Sequence, residues 1–232
     1  LAQLRAAGIL PVCAMGNAGE TLPAGYPAAL PEAFSIGAVN DAAAVSAYSG
    51  RGSAGDGKPD LLAPGGGLLP AAGRITTADN EPNDSYSERW GTSLSAAHVA
   101  GGAFLVLEAM RKEGCPPPAA AAEVALLDAI LRGTAAVVSQ LETADGEGVA
   151  AALPWAATPD SARGWGLLQV AAAVEAAVSP LAPGAVVTDS LGGVGERRVL
   201  ARRLDLAPGR DYSVLAAVAG ELDIALEVHD AR

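Results

Sequence analysis

A serine stands where a short turn gives way to a long apolar segment. Ser93 follows Gly91 and Thr92 and precedes the mostly apolar residues 94–112, a composition that predicts a buried helix beginning at Ser93. The free backbone N–H groups and the dipole at the start of a helix favour negative charge. Ser93 could therefore be a nucleophile whose own N–H stabilises the oxyanion formed on attack. The alternative is a helix cap, the commonest role of serine before an apolar helix.

A second polar residue follows another apolar segment. Residues 9–15 predict a buried strand of a parallel sheet, and Asn17 comes directly after it in a turn with Gly16 and Gly19. Active sites of open α/β sheets form at the ends of such strands. Asn17 is therefore a candidate site residue. The alternative is an ordinary turn residue, which is common for asparagine beside glycine.

The two histidines of the chain do not supply a base for Ser93. His98 lies five positions further along the predicted helix, which turns it roughly 140° around the axis and moves it ~7.5 Å along it. We expect His98 to have a structural role, and His229 to lie on the surface of a later segment. Without a base, a serine hydroxyl is a poor nucleophile.

The elements around these residues predict a layered α/β fold. The patterns predict a largely parallel sheet flanked by helices, formed by residues 1–180. After Pro180 and Pro183 the chain changes to strand-like alternation, which predicts that 183–232 begin a separate β-rich domain. The predicted strands of the first domain are 9–15, 34–39, 45–48, 60–63 and 74–77, and its predicted helices are 1–7, 93–112, 119–131 and 167–178.

Composition excludes several classes of function. The formal net charge is −11, with 15 basic and 26 acidic residues, which argues against a nucleic-acid partner. There is no long uncharged apolar span, so we expect no membrane partner. Cys13 and Cys115 are the only cysteines, and neither has the spacing of a metal site or a disulfide framework.

Five segments in order resemble the subtilisin-like serine proteases, or subtilases. Together they cover roughly residues 1–178, and five collinear motifs are far more specific than one. Leu94 and Ala97 stand where the family usually has Met and Pro. The segments are Met-Gly-Asn-Ala-Gly at 15–19, the loop and strand at 26–39, Lys-Pro-Asp-Leu-Leu-Ala-Pro-Gly at 58–65, Gly-Thr-Ser-Leu-Ser-Ala-Ala-His-Val-Ala-Gly at 91–101, and Gly-Trp-Gly-Leu-Leu-Gln-Val at 164–170.

The resemblance implies a serine endopeptidase that cleaves polypeptides through an acyl-enzyme on Ser93. It implies that the Asn17 side chain completes the oxyanion hole. It also implies that Ala14, Met15 and Gly16 line one wall of the substrate pocket.

The family's catalytic Asp and His belong to motifs upstream of the segment matched here. We therefore expect this chain to be the C-terminal part of a peptidase domain and to be inactive alone. For the whole protein, the resemblance implies secretion or a cell-envelope location and an N-terminal pro-region. The chemistry needs no cofactor and we assign no metal ligands, although calcium is common in the family and Asp60 matches an acidic position near a weak cation site.

Two other functions stay open at this stage. A subtilase homologue without catalytic activity could serve as a binding or scaffold domain, and the upstream sequence would distinguish it from the enzyme. An α/β-hydrolase esterase would need Gly-x-Ser-x-Gly, whereas Ser93 lies in Gly-Thr-Ser-Leu-Ser.

The C-terminal segment, residues 183–232, resembles the β-sandwich modules found after secreted bacterial proteases.

Overall fold

The fold consists of a small parallel sheet, a hairpin and four helices within the part of the chain that the structure describes. The structure is a computed structural model, and it describes residues 1–22, 24–53, 55–80, 85–115, 120–149, 159–182, 184–188, 190–191 and 199–204. The elements are α1 (Ala2–Ala6), β1 (Val12–Ala14), β2 (Phe34–Val39), β3 (Leu61–Pro64), β4 (Ile75–Asp79), β5 (Ser85–Arg89), α2 (Thr92–Lys112), α3 (Ala121–Gly133) and α4 (Val170–Val178), with a short 3₁₀ turn at Pro70–Ala72.

Strands β1, β2 and β3 form a parallel sheet in that order. Every residue of β2 is buried, as expected for the central strand of a sheet covered on both faces. Because the strands are parallel and in register, their carboxyl ends meet at one edge. Asn17 follows β1 and Gly65 follows β3 at this edge. The predicted sheet flanked by helices is confirmed.

Helix α2 packs across the sheet and positions the start of its first turn at this edge. Val99 and Val106 are completely buried against the apolar core. Gly102 lets α4 approach closely, because a Cβ at that position would lie 3.0 Å from a methyl group of Val170. The core fixes α2 along its length, so the helix start is held in place by packing.

One face of α2 is apolar and open. It carries Phe104, which is 61% exposed, and Leu105, which is 49% exposed, together with Ala97, Ala100 and Gly101. By length and composition alone, α2 could cross a membrane. Its opposite face nevertheless packs on all three strands of the sheet and on α4, as in the core helix of a globular domain.

The structure corrects one predicted strand and adds one that was not predicted. Residues 45–48 do not form a strand, because only Val45 makes isolated bridges, to Val39 and Leu141, before the chain turns. Strand β5 was not predicted, because its sequence Ser-Tyr-Ser-Glu-Arg is polar on both faces. It pairs antiparallel with β4, and the two form an exposed hairpin before α2.

Most of the predicted β-rich segment lies outside the described residues. Within the described part of 183–232, Arg203 makes an isolated bridge to Pro180. The domain boundary near 180–183 stays a prediction.

Candidate active site

Ser93 is the second residue of α2 and is exposed at its first turn. The residue that precedes the helix as its cap is Gly91, and no side chain of the helix start caps it. The interpretation of Ser93 as a helix cap is therefore wrong. Within the described residues, neither the hydroxyl nor the backbone N–H of Ser93 has a hydrogen-bond partner. Both groups are thus available to a bound molecule, at the positive end of a 21-residue helix.

Asn17 lies against the residue that precedes Ser93. Its side-chain oxygen Oδ1 accepts two hydrogen bonds from Thr92, one from the backbone N–H and one from the hydroxyl, each 2.9 Å long. Asn17 thereby satisfies a backbone N–H group at the helix start that the helix itself leaves unpaired. Because Oδ1 is an acceptor in both bonds, the amide orientation is fixed and the Nδ2 group remains free to donate.

Thr92 also joins the strand-end loop to the helix directly. Its hydroxyl accepts a hydrogen bond of 3.1 Å from the backbone N–H of Gly16, and its side chain is buried. A single hydroxyl therefore donates to Asn17 and accepts from Gly16. This arrangement couples the position of Asn17 to that of Ser93.

Gly91 makes room for the Asn17 amide. Its φ of 145° lies in the region that favours glycine. A Cβ at position 91 would lie 3.2 Å from Asn17 Nδ2, a contact tight enough to displace the amide. The Nδ2 group thus lies beside the backbone at Gly91, two residues before Ser93.

Tyr48 supports the backbone that leads into this turn. Its hydroxyl lies 2.7 Å from the Gly65 carbonyl oxygen and 2.8 Å from that of Gly66, and it accepts a bond of 3.1 Å from the Gly91 N–H. Its ring packs against Trp90 with a centroid distance of 4.4 Å. Burial raises the pKa of the Tyr48 hydroxyl to about 12.

The three residues predicted to line the substrate pocket differ in exposure. Ala14 is half-buried at the end of β1, and Gly16 is exposed. The side chain of Met15 is buried, with 2% exposure. Met15 as a whole residue thus has almost no accessible surface, and its backbone N–H is bonded to Ile36. The pocket wall stays a prediction.

His98 bonds within its own helix and not to Ser93. Its Nδ1 lies 2.9 Å from the carbonyl oxygen of Leu94 in the preceding turn of its own helix. The residue is exposed, so the packed structural histidine expected from the sequence is wrong, and its bond within the helix is a local contact. His229 lies outside the described residues.

The residues around Asp60 do not fit a bound cation. Oδ2 of Asp60 accepts hydrogen bonds from the Ser35 N–H and the Lys58 ammonium, and Oδ1 accepts one from Arg132. A metal ion would need the carboxylate oxygens that these donors occupy. Among the described residues, no three acidic, histidine or cysteine side chains form a group that could hold a metal ion.

Sequence reasoning missed Thr92 and Tyr48. Thr92 could have been found, because a hydroxyl residue directly before the serine is placed to bond with a neighbouring loop. Tyr48 carries no local signal, since its partners Gly65 and Gly91 are distant in sequence. Its role arises only when the loops after β2 and β3 meet.

Comparison with known proteins identifies the family. The subtilase family model matches residues 2–166. Subtilisin from Bacillus pumilus is 35% identical over 103 residues, which are 43% of this chain and 33% of that protein. The major intracellular serine protease of Bacillus subtilis (strain 168) is also 35% identical over 103 residues, 43% of this chain and 28% of that protein.

Among solved structures, the prenylagaramide maturation protease PagA superimposes with a TM-score of 0.52 and 25% identity. The match covers 74% of this chain and 51% of PagA. The chain thus spans about half of this structural relative and a third or less of the two curated relatives.

Proposed function

Because the chain belongs to the subtilase family, we propose that it carries the nucleophile and oxyanion hole of a serine endopeptidase. Ser93 is the nucleophile, and the Ser93 N–H and the Asn17 Nδ2 group are the oxyanion donors. The substrates would be polypeptides. Family membership rules out the α/β-hydrolase alternative, which belongs to a different fold.

The observation that carries the proposal is the contact between Asn17 and Thr92. The two bonds from Thr92 to Oδ1 leave Nδ2 as the free end of the amide, beside the backbone at Gly91 and two residues before Ser93. The acceptor end of the amide is thus engaged at the helix start, and its donor end is left for a ligand. Preorganised donors of this kind stabilise charge that develops in the transition state.

The proposed reaction follows from these positions. The Ser93 hydroxyl attacks the scissile carbonyl carbon and passes its proton to an imidazole base. The carbonyl oxygen becomes an oxyanion and receives hydrogen bonds from the Ser93 N–H and from Asn17. The base then protonates the leaving amine, and water releases the acyl group from Ser93.

The base does not come from this chain. His98 bonds to its own helix, and no histidine precedes Ser93 in the sequence. We propose that the catalytic His and Asp lie in a further part of the protein, and that the 232-residue chain alone hydrolyses peptides at no useful rate. Ser93 would then react as an ordinary alcohol.

A fluorophosphonate probe tests this division of labour. The 232-residue chain should label slowly, at the rate of its Ser93→Ala variant. A longer polypeptide that includes the family's Asp and His motifs should label rapidly and stoichiometrically at Ser93. Rapid labelling of Ser93 in the short chain would refute its inactivity, and no labelling of the longer polypeptide would favour a non-catalytic binding or scaffold domain.

For the whole protein we propose secretion or a cell-envelope location, by analogy with subtilisin. An intracellular relative means that family membership alone does not decide the compartment. Fractionation of cells that express the whole protein would decide it. Recovery in the cytosol would overturn this part of the proposal.

A further inference from the structure

A chain of buried charges lies behind the site, at the other end of β3. Asp60, which directly precedes β3, is 2% exposed, and Lys58 is 4% exposed. The Lys58 Nζ lies 2.7 Å from Asp60 Oδ2 and 2.5 Å from the backbone carbonyl oxygen of Ala33. A carboxylate oxygen and a carbonyl oxygen thus converge on one buried ammonium group.

Both oxygens of the Asp60 carboxylate accept further hydrogen bonds. The Ser35 N–H donates to Oδ2 at 2.6 Å, and Arg132 donates to Oδ1 at 2.8 Å. Arg132 continues the chain to Asp128, which in turn pairs with Arg5. Three cationic side chains therefore face two carboxylates across β3, α3 and α1.

Convergent carboxylate and carbonyl oxygens are the ligands that hard cations such as Na⁺ and Ca²⁺ prefer. Here the ammonium of Lys58 already occupies the point where they converge. A metal ion at the same point would have to displace it and would add charge to a cluster that already has an excess of cations. Burial of such unbalanced charge is strongly unfavourable.

We propose that the Lys58 ammonium acts as a built-in cation at Asp60, so that this corner of the fold is stable without a bound metal ion. Removal of the ammonium would leave Asp60 Oδ2 and the Ala33 carbonyl facing a space of the size of a small cation. The Lys58→Met variant keeps an unbranched apolar side chain of similar length up to Cε and removes the ammonium group with its charge and its hydrogen-bond donors. It should therefore acquire a requirement for a small cation that the native chain lacks.

Thermal unfolding of the 232-residue chain tests this inference. The unfolding temperature is measured in choline chloride and in sodium or calcium chloride at equal ionic strength, after treatment with a chelator. Choline is too large to enter the site. We expect the K58M variant to unfold well below the native chain in choline and to gain about 3–8 °C in sodium or calcium, since a ligand of the native state raises its stability.

Lys112→Met is the matched control, because Lys112 makes an exposed pair with Glu108 on α2. Its response to the change from choline to sodium or calcium should equal that of the native chain. The proposal is overturned if K58M and K112M respond equally to the metal ions. It is supported if K58M folds only when sodium or calcium is present.

A second measurement tests the proposal even if the K58M variant does not fold in any buffer. Crystals of the native chain soaked with thallium(I) or terbium(III) should show no anomalous peak beside Asp60 Oδ2, where the density should instead be that of Lys58. An ordered peak within coordination distance of that oxygen would overturn the proposal.

Discussion

Thr92 holds Asn17 with two hydrogen bonds to the same oxygen, so that only the donor end of the amide is left free. The bond from the threonine hydroxyl depends on the side chain, whereas the bond from the backbone does not. Thr92 is therefore a positioning residue for the proposed oxyanion hole. This relationship generates the first prediction.

Thr92→Val keeps the shape of the side chain but removes the hydroxyl that donates to Asn17 and accepts from Gly16. We expect kcat of the whole enzyme to fall about fivefold, because one buried hydrogen bond contributes about 1 kcal/mol. KM should change little, since the bond orients a transition-state donor. Thr92→Ser is the matched control and should keep most of the activity. An unchanged kcat in T92V would show that Asn17 does not need this support.

Gly91→Ala should disturb the same amide from the other side. The backbone strain at φ 145° costs about 1–3 kcal/mol for a residue with a Cβ, and the new methyl group would lie 3.2 Å from Asn17 Nδ2. We expect lower thermal stability and a lower kcat. Gly148→Ala is the control, because Gly148 has no positive φ and a Cβ there meets its nearest atom at 3.9 Å. Equal effects of the two substitutions on kcat would contradict the account.

Tyr48→Phe removes the hydroxyl that bonds to Gly65 and Gly91. Gly91 N–H retains a bond of 2.9 Å to the Gly65 carbonyl, so we expect the free energy of unfolding to fall by only about 1–2 kcal/mol. Chemical denaturation at neutral pH measures this difference.

The pH dependence of the same variant gives an independent check. Burial raises the pKa of Tyr48 to about 12 in the folded chain, against about 10 for an unfolded tyrosine. Between these values the unfolded state releases the proton and the folded state retains it, so stability falls as pH rises. The native chain should therefore lose its advantage over Y48F above about pH 10. A difference that stays constant from neutral pH to pH 12 would contradict the raised pKa.

Val106 and Leu105 test the two faces of α2 in the 232-residue chain. Val106 is completely buried, whereas Leu105 is 49% exposed. We expect Val106→Ala to lower the free energy of unfolding by about 2 kcal/mol through lost burial and a cavity. Leu105→Ala should cost clearly less, as measured by denaturant unfolding. The reverse order would show that the open face is covered in solution.

The parts of the fold that the sequence predicts are those with strong local patterns. The apolar run of β2 gave a strand at its true bounds, 34–39, and the small apolar residues after Ser93 gave α2 to within one residue. Residues 45–48 misled the prediction because Val45 and Tyr48 are buried by tertiary contacts rather than by strand pairing. Burial by loops leaves an apolar pattern that resembles a strand.

The candidate site was predictable only in its exposed members. Ser93 and Asn17 could be selected because their neighbours, a helix start and a strand end, are locally encoded. Thr92 and Tyr48 act through contacts between segments far apart in the chain, and such contacts depend on the register of the folded sheet. Lys58 and Asp60 are two residues apart, so their ion pair is encoded locally. The Ala33 carbonyl oxygen, which also accepts a bond from Lys58, comes from a distant segment of the chain.

The most direct test of the proposed oxyanion hole is Asn17→Asp in the whole enzyme. Aspartate keeps an oxygen that can accept both bonds from Thr92 but lacks the Nδ2 donor. Loss of one such donor lowers kcat by about 10²–10³, a magnitude that was itself measured in a member of this family. We predict a decrease of that size in the rate of acylation of Ser93, with thermal stability close to native. An acylation rate equal to that of the native enzyme would contradict the claim that Asn17 and Ser93 act on the same carbonyl oxygen.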